Sequence, residues 1–404
     1  MIDYFSAEMR RNPFPFYFQY RAASPVHYLE SYDFWMIFDY DGVKRILEDH
    51  TTFSSSAVSP GSTGKPLNWL IFKNPPHHAR LRALVACAFT PRVVASLEPR
   101  IRQISGELLD EHLERGEMDL AADYSVSLPL KVIAELLGIP PRDRPQFKRW
   151  SDAILNLAET VIGSEKSELA AQEYGRTTVE MDDYLKVVLR DRDQSPQDDL
   201  LSKLAQAEVD GERLTHAEIL GFFQLLLLAG SETTINLINN AVLCLLEHPE
   251  QFARLRKNRK LLPTAIEEVL RYRSPLQAVF RQTRCAVELH GRSIPAGQLV
   301  LPIIGSANRD PKHFANADCF DIARDPNPHI AFGHGIHFCI GAALSRLEAR
   351  IALEDLLARM ENIEFAGDGP WEPRPAFHVH GPTRLPITFR RRSSTSTKFG
   401  EVRV

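Results

Sequence analysis

The spacing of apolar residues along the chain predicts that most of it is helical. Between residues 76 and 262 apolar positions recur three and four residues apart, which places them on one face of an α-helix. Prolines and glycines, such as Pro140-Pro141 and Gly211, divide this stretch into separate helices. Four shorter segments predict strands, namely 26–29, 34–38, 287–289 and 298–301. We expect a mainly α fold with a smaller β part assembled from both ends of the chain.

One long apolar stretch in the middle of the chain breaks the rules for a buried helix. A capping box formed by Thr215 and Glu218 starts it, and the helical pattern then runs unbroken to about Glu247. At about 1.5 Å per residue this predicts a rod about 48 Å long. Residues 229–234, however, read Ala-Gly-Ser-Glu-Thr-Thr, so polar groups interrupt the apolar run.

These polar groups allow two interpretations. A hydroxyl that competes for a helical carbonyl can open the helix and admit water, and an adjacent acid and alcohol can then relay protons into an apolar cavity. Alternatively, Thr233 and Thr234 donate hydrogen bonds back by one turn and Glu232 faces solvent. Taken alone, the segment favours the second interpretation; taken together with the loop described next, it favours the first.

A glycine-rich loop near the C-terminus leads into another predicted helix. Residues 332–341 read Phe-Gly-His-Gly-Ile-His-Phe-Cys-Ile-Gly, and an amphipathic pattern runs from residue 340 to residue 360. Cys339 is therefore expected at a helix N-terminus, where the macrodipole and unpaired N–H groups should lower the pKa of its thiol. The glycines leave room for a flat, bulky group to approach the main chain. A thiolate presented in this way suits haem iron.

The same loop is compatible with other roles. A buried cysteine often only fills space, and a glycine-rich loop before a helix can bind phosphate. The loop lacks both phosphate-binding patterns, since it has no third glycine at the dinucleotide spacing and no Lys-Ser or Lys-Thr pair. A zinc site would use His334, His337 and Cys339, but the sequence offers no Cys-x-x-Cys pair and no obvious fourth ligand at zinc spacing.

The composition argues against several classes of protein. The 404 residues are 44% hydrophobic and 25% charged, as in ordinary globular proteins, and the net charge of −4 gives no electrostatic basis for binding nucleic acid. Five scattered cysteines do not make a disulfide framework, which fits a reducing cytoplasm. Residues 1–11 have no apolar signal segment, and the longest apolar stretch, 219–230, is shorter than the roughly 18 residues of a membrane span. We expect a cytoplasmic protein without a membrane anchor.

Three segments together resemble the signatures of the haem-thiolate monooxygenases, the cytochrome P-450 family, in its soluble bacterial form. They are the loop at 332–341, the Ala-Gly-x-Glu-Thr-Thr segment at 229–234 and the Glu-Val-Leu-Arg segment at 268–271. Because they occur in the family's order and spacing, the resemblance covers essentially the whole chain. It implies the cytochrome P-450 fold, a helix-rich triangular prism with haem between the long central helix and the helix after Cys339. It also implies one haem domain over residues 1–389, and leaves 390–404 as a basic tail that we expect to be disordered.

The resemblance also implies roles for individual residues. Cys339 would ligate the iron of haem b, with no flavin or iron–sulfur cluster in the chain, and Glu232 and Thr233 would deliver protons to the distal oxygen. The residues expected to contact the haem are His78, Arg82, Ala229, Arg281, Phe332, Gly333, His337, Cys339 and Gly341. The residues expected to form a buried structural triad before the loop are Glu268, Arg271 and Arg324. The residues expected to line the substrate pocket are Leu225, Leu228, Gln277, Ala278, Val279 and Val379.

The implied activity is a monooxygenase that inserts one oxygen atom from O2 into a hydrophobic small molecule, by hydroxylation or epoxidation. The expected substrates are terpenoid, fatty-acid, steroid or polyketide-like compounds. Electrons would come from a separate ferredoxin or flavodoxin with its reductase, and Arg80, Arg346 and Arg350 are candidates for docking that carrier unless they are simply solvated. A peroxide-driven hydroxylase and a catalytically silent haem-thiolate scaffold are the alternatives, and retention of Glu232 and Thr233 argues against both.

Overall fold

The computed structural model describes residues 6–56, 67–86, 89–158, 166–367 and 369–392. Helices dominate these residues, as the spacing of apolar positions predicted. The helices are α1 (Ala7–Arg11), α2 (Phe14–Ala23), α3 (Tyr40–Glu48), α4 (His77–Ala86), α5 (Pro91–Ser96), α6 (Glu98–Asp110), α7 (Ser127–Leu136), α8 (Arg144–Ala158), α9 (Lys166–Gln194), α10 (Leu200–Gln206), α11 (His216–Ala229), α12 (Glu232–Glu247), α13 (Pro249–Lys257), α14 (Leu262–Tyr272), α15 (Ile304–Ala307) and α16 (Ala342–Arg359).

The strands are short, and the four predicted segments are among them. The strands are β1 (Val26–Leu29), β2 (Phe34–Ile37), β3 (Phe53–Ser54), β4 (Glu117–Asp119), β5 (Glu208–Val209), β6 (Glu212–Arg213), β7 (Arg281–Thr283), β8 (Val287–Leu289), β9 (Arg292–Ile294), β10 (Leu299–Pro302), β11 (Met360–Phe365) and β12 (Pro386–Arg391). One mixed sheet has the order β1-β2-β10-β7-β3, in which only the β2–β10 pair is parallel, with Trp35 opposite Val300. The main sheet therefore joins early and late parts of the chain, as predicted.

The central helix is divided in two, so the prediction of an unbroken rod is wrong. Helix α11 ends at Ala229 and α12 begins at Glu232. The hydroxyl of Ser231 donates to the carbonyl of Leu227 at 2.5 Å, and Thr233 Oγ1 donates to the carbonyl of Ala229 at 3.0 Å. Both carbonyls would otherwise accept only from backbone amides one turn later. The interruption therefore falls within the segment whose polar residues broke the apolar pattern.

Almost every residue of α12 is buried, which makes this helix the centre of the fold. Its side chains from Thr234 to Leu245 are all buried, and they include Asn236, Asn239 and Asn240. The helix packs against α14 on one side and α16 on another. The element that carries the irregular segment therefore touches both the helix with the Glu-x-x-Arg segment and the helix that follows Cys339.

The helical stretch 216–247 is the one part of the described residues that is long and apolar enough to cross a membrane. In the structure 61% of its most apolar window is buried inside the protein. Burial against other helices, rather than lipid, accounts for its composition, as in the core helix of a globular protein.

The last strand extends beyond the domain boundary expected at residue 389. In β12, Arg390 pairs with Glu361 and Arg391 pairs with Met360 of β11. The predicted start of the tail at residue 390 is therefore wrong, because these residues complete an antiparallel ladder. Residues 393–404 lie outside the described residues.

Candidate active site

The loop that carries Cys339 depends on two glycines with left-handed backbone. Gly333 has φ 76° and Gly335 has φ 69°. A Cβ atom on Gly335 would lie 2.9 Å from the carbonyl oxygen of Leu47, so only glycine fits at this close approach. The backbone N–H of Cys339 donates to the carbonyl of Phe332 at 2.9 Å and closes the loop. Cys339 is thereby held three residues before α16.

The thiol of Cys339 does not have the lowered pKa that its position predicted. Burial raises the pKa, while the backbone N–H of Gly341 and the charges of Arg82 and Arg346 lower it by less. Cys339 is nevertheless an exposed residue, although protein atoms surround its thiol closely. Desolvation by the surrounding protein therefore exceeds the effect of the helix terminus, and the thiolate needs a further positive charge, such as a metal ion, to be the stable form.

Basic side chains from separate elements meet beside this loop. The rings of His78 on α4 and His337 in the loop have centroids 4.3 Å apart. The ring nitrogen Nε2 of His337 lies 3.1 Å from the hydroxyl of Ser55. Arg82, one turn after His78, donates to the carbonyl of Phe338 at 2.6 Å. Helix α4 and the Cys339 loop are therefore joined directly.

The electrostatics of this cluster suit a ligand with two carboxylates. Burial lowers the pKa of His337 to about 2, with further lowering by Arg281, His78 and Arg82. Burial also lowers the pKa of His78 to about 4 and that of Arg281 to about 10, so the imidazoles are neutral and Arg281 is cationic at neutral pH. Atom Nε2 of His78 is buried without a partner in the described part of the chain. Two arginines and two neutral imidazoles fit the propionates of haem, and the thiol of Cys339 fits its iron.

The break in the central helix lies next to the helix that follows Cys339. Thr234 Oγ1, on the first turn of α12, donates to the hydroxyl of Ser345 on α16 at 3.1 Å. Ala229, the last residue of α11, is exposed although it lies between two buried helical segments. An accessible surface therefore reaches the middle of the central helix close to the Cys339 loop.

The three residues of the expected triad are in direct contact. Glu268 and Arg271 are fully buried, and Arg271 binds both carboxylate oxygens of Glu268, at 2.7 and 2.8 Å. Arg324 Nε approaches the same oxygens at 3.2 and 3.0 Å. Asn327 Nδ2 and the backbone N–H of Asp321 complete the set, at 3.2 and 2.9 Å from that carboxylate. One carboxylate thus holds the segment that leads to the Cys339 loop.

A family comparison agrees with this geometry. The family model described as Cytochrome P450 matches residues 7–377. The chain belongs to the cytochrome P450 family. It is therefore a member of a family of oxygenase oxidoreductases for which a haem iron is implied.

Individual P450s resemble the chain over nearly its full length. Cyclomarin C epoxidase CymV from Salinispora arenicola is 42% identical over 92% of this chain and 94% of its own. The structure of CYP109Q5 from Chondromyces apiculatus has 42% identity and a TM-score of 0.88, covering 97% of this chain and 99% of that one. The structure of CYP109E1 from Bacillus megaterium in complex with testosterone has 41% identity and a TM-score of 0.85, covering 93% and 99%.

Glu232 and Thr233 of this P450 start α12 at the helix break. The hydroxyl of Thr233 donates to the carbonyl of Ala229, so the bond back by one turn that was the alternative interpretation is present. That bond uses the hydroxyl hydrogen and leaves the oxygen able to accept another. Glu232 is half-buried rather than turned fully to solvent. It lies near Arg374: burial lowers the pKa of Arg374, and the charge of Glu232 raises that pKa.

The expected pocket residues do not all lie together. Leu225 and Leu228 are on α11, close to the break, and Val379 forms an isolated β-bridge with Leu276. Val279 packs against the apolar cluster of the mixed sheet.

Gln277 and Ala278 line a cavity beside α2, so the structure does not group them with Leu225 and Leu228, and their place in the substrate pocket stays a prediction. Gln277 is 1% exposed and donates to the carbonyl of Ser274 at 2.6 Å, and Ala278 packs in the cluster that contains Phe16.

The three arginines considered for carrier docking are engaged within the protein. Arg346 binds Glu267 with two bonds of 2.7 Å, and its guanidinium lies 4.4 Å from the ring of Phe332. Arg350 binds Glu98 at 2.8 Å and Glu354 at 3.3 Å. Arg80 binds Glu218 and, at 3.3 Å, Glu212. The charge of each of these arginines is therefore partly neutralised by ion pairs within the protein.

Sequence reasoning missed Arg374, Asn327 and Ser345. Ser345 shares a face of α16 with residues near Cys339, so its helical spacing was a usable signal. Arg374 lies in an irregular segment far along the chain from Glu232, and no local pattern links the two.

Proposed function

We propose that this P450 inserts one oxygen atom from O2 into a hydrophobic small molecule, with electrons delivered by a separate ferredoxin or flavodoxin and its reductase. The observation that carries the proposal is the exposed cysteine Cys339 in its glycine-rich loop, beside four convergent basic side chains. We also propose that the protein acts in the cytoplasm, that the cofactor is haem b, and that no flavin or iron–sulfur cluster is bound.

The proposed haem site uses residues from both halves of the chain. Cys339 would ligate the iron, and the propionates would accept from His78, Arg82, Arg281 and His337. The residues that would lie against the ring are Ala229, Phe332, Gly333 and Gly341. When bound, the haem supplies the activation of O2. The raised pKa of the free thiol means that ligation and loss of the thiol proton are coupled.

Glu232 and Thr233 are proposed to hold and transfer protons at the helix break. Thr233 Oγ1 is fixed by its 3.0 Å bond to the Ala229 carbonyl, which orients its free lone pairs away from that carbonyl. Glu232, half-buried near Arg374, is the adjacent acid that can exchange protons with solvent and resupply the hydroxyl. Glu268, Arg271 and Arg324 have a structural role in this proposal, since their buried bonds brace the segment before the loop.

The substrate is proposed to be apolar or amphipathic, of terpenoid, fatty-acid, steroid or polyketide type. The proposed pocket includes four apolar residues that suit such a substrate, namely Leu225, Leu228, Val279 and Val379. The testosterone complex of CYP109E1 and the epoxidase CymV support substrates of this kind and either hydroxylation or epoxidation. Peroxide-driven oxidation and a silent scaffold are disfavoured because the acid–alcohol pair at 232–233 is intact.

The test is the spectrum of the reduced, CO-bound protein. We expect the shifted Soret band of thiolate ligation in the wild type and its loss in Cys339→Ser. Cys285→Ser is the matched control, because Cys285 is also an accessible cysteine but lies outside the loop. A histidine-type Soret band in the wild type, or an unchanged band in Cys339→Ser, would overturn the assignment. Turnover with NADPH alone would overturn the need for a carrier.

A further inference from the structure

A cluster of arginines lies at the C-terminal end of α16, the end of that helix opposite the Cys339 loop. Arg259 Nη2 and Arg392 Nη1 donate to the same oxygen, the carbonyl of Leu357, at 2.9 and 3.3 Å. The backbone N–H of Arg392 also donates to the carbonyl of Arg359, the last residue of the helix, at 2.8 Å. Two guanidinium groups from distant parts of the chain therefore converge on the last turn of one helix.

A third arginine stands beside this pair. Arg256, near the end of α13, has its guanidinium carbon 4.3 Å from the ring centroid of Phe252. Burial and the charge of Arg392 lower the pKa of Arg256, and the charge of Glu361 raises it by less. Burial and the charges of Arg392 and Arg256 likewise lower the pKa of Arg259. The three cations are therefore close enough to repel one another.

Each of these arginines is held by an uncharged partner. A backbone carbonyl fixes Arg259 and Arg392, and an aromatic ring fixes Arg256, so their positions are set while their charges are not neutralised. Among the residues that the structure describes, none of the three forms an ion pair. Arg350, on the same helix, forms two ion pairs with glutamates. The cluster is therefore a centre of positive charge without a counter-ion from the described part of the protein.

The donors of this cluster face solvent. Arg259 and Arg392 are exposed residues, and each uses one nitrogen atom for the carbonyl of Leu357. A guanidinium carries several N–H donors, so most donors of both side chains remain available. Lys257 and Lys260, close in sequence to Arg259, are exposed as well. An anion that approaches from solvent therefore meets several cationic donors at once.

The number of donors favours a phosphate group over a carboxylate. One guanidinium satisfies a carboxylate in a bidentate pair, whereas a phosphate monoester carries a charge of about −2 and three strong acceptor oxygens. Two converging guanidinium groups with ammonium groups nearby match the larger charge and the additional acceptors. Because the arginines are already fixed in place, binding costs little further side-chain entropy.

We propose that Arg256, Arg259 and Arg392 form a binding site for a phosphate group at the end of α16. The phosphate oxygens accept from the exposed donors of Arg259 and Arg392, and Arg256 contributes positive charge. Bound phosphate relieves the repulsion among the three cations and so stabilises the folded protein. Helix α16 has 18 residues and is about 27 Å long, so the site is remote from Cys339 and does not rest on the proposed monooxygenase activity.

The first probe is inorganic phosphate, titrated into the haem-loaded protein at constant ionic strength and followed by calorimetry and by the thermal unfolding midpoint. We expect saturable binding and a midpoint that rises more than in chloride of equal ionic strength. Arg259→Gln and Arg392→Gln should each weaken binding about tenfold or more, the factor expected for a lost charge-assisted hydrogen bond. Arg259→Lys should retain part of the affinity, because the charge remains. Arg142→Gln is the matched control, since Arg142 is also exposed but lies beside Asp143, outside the cluster.

A second probe distinguishes free phosphate from the phosphate of a lipid headgroup. The protein is sedimented with phosphatidylcholine vesicles that contain or lack phosphatidic acid. Retention by phosphatidic acid vesicles alone, with loss of retention in Arg392→Gln, supports the site and identifies a lipid as the source. Binding of inorganic phosphate without retention by vesicles supports the site and identifies a soluble phosphate compound.

Three outcomes would overturn the proposal. They are no saturable binding of either probe, equal stabilisation by chloride at the same ionic strength, and binding unchanged in both Arg259→Gln and Arg392→Gln. If Arg259→Gln does not fold, Arg392→Gln provides the decision, because its exposed side chain follows the last strand. The reduced, CO-bound spectrum is recorded for every variant, so that failure of this site is distinguished from failure of the haem assignment.

Discussion

Replacing Arg324 by leucine tests whether the buried triad holds the segment before the Cys339 loop. The change removes the contacts of 3.0 and 3.2 Å to Glu268 and the bonds to the carbonyls of Ala315, Asn316 and Cys319, at 2.7, 3.2 and 3.2 Å. Breaking a buried ion pair costs about 3–5 kcal/mol. Because Arg271 still neutralises Glu268 in the variant, we expect the free energy of unfolding to fall by the lower end of this range, about 3 kcal/mol.

The assay is urea unfolding followed by tryptophan fluorescence, together with the haem content of the purified protein. Arg324→Leu should lower the free energy of unfolding and the haem retained, and Arg324→Lys should fall between it and the wild type, because an ammonium cannot reproduce the planar fork. Arg254→Gln is the matched control, since its exposed pair with Asp321, at 2.9 Å, should contribute less than about 1 kcal/mol. An Arg324→Leu protein no less stable than Arg254→Gln would refute the reasoning. Glu268→Gln combined with Arg324→Leu should cost less than the two single changes added.

Three further predictions concern proton delivery, pH and electron supply. Thr233→Ala should leave haem binding intact but divert electrons into peroxide, measured as product formed per reduced cofactor consumed; unchanged coupling in both Thr233→Ala and Glu232→Gln would refute the relay. Burial raises the pKa of Glu267, but its hydrogen bonds to Arg346 and His329 lower the pKa by more, so the net value is about 2. The ionised Glu267 therefore stabilises the folded protein above the unfolded pKa, and this contribution is lost as pH falls from about 4.5 to about 2. The stability difference between wild type and Glu267→Gln, from urea midpoints, should therefore shrink over that window; a constant difference contradicts the assignment. Substrate oxidation should require an added ferredoxin or flavodoxin system, and turnover with NADPH alone would contradict this. If the carrier docks at Arg80, Arg346 and Arg350, reduction should slow as salt is raised and in Arg346→Glu; rates indifferent to both changes would rule out docking there.

Local patterns were sufficient to locate the four predicted strands and the glycine-rich loop before α16. The four strand segments lie within one residue of the observed strands, because side-chain alternation is a property of the strand itself. The loop before α16 was identifiable because Gly333 and Gly335 are required by backbone conformation, a local constraint. The irregular segment 229–234 was located correctly, although the pattern alone did not show that the helix ends there.

The sequence determined where the Cys339 loop and the polar segment 229–234 lie along the chain, and the tertiary structure decided their electrostatics and surroundings. The pKa of Cys339 is raised because desolvation depends on the protein packed around the thiol, which helix position does not reveal. Gln277 and Ala278 lie beside α2 because the fold packs their segment against the start of the chain, which no local pattern indicates. Arg273 is buried where α2, from the start of the chain, meets the ends of α12 and α14, a contact that no local pattern predicts. Periodicity acts over a few residues, whereas burial and charge act through contacts that only the folded chain creates.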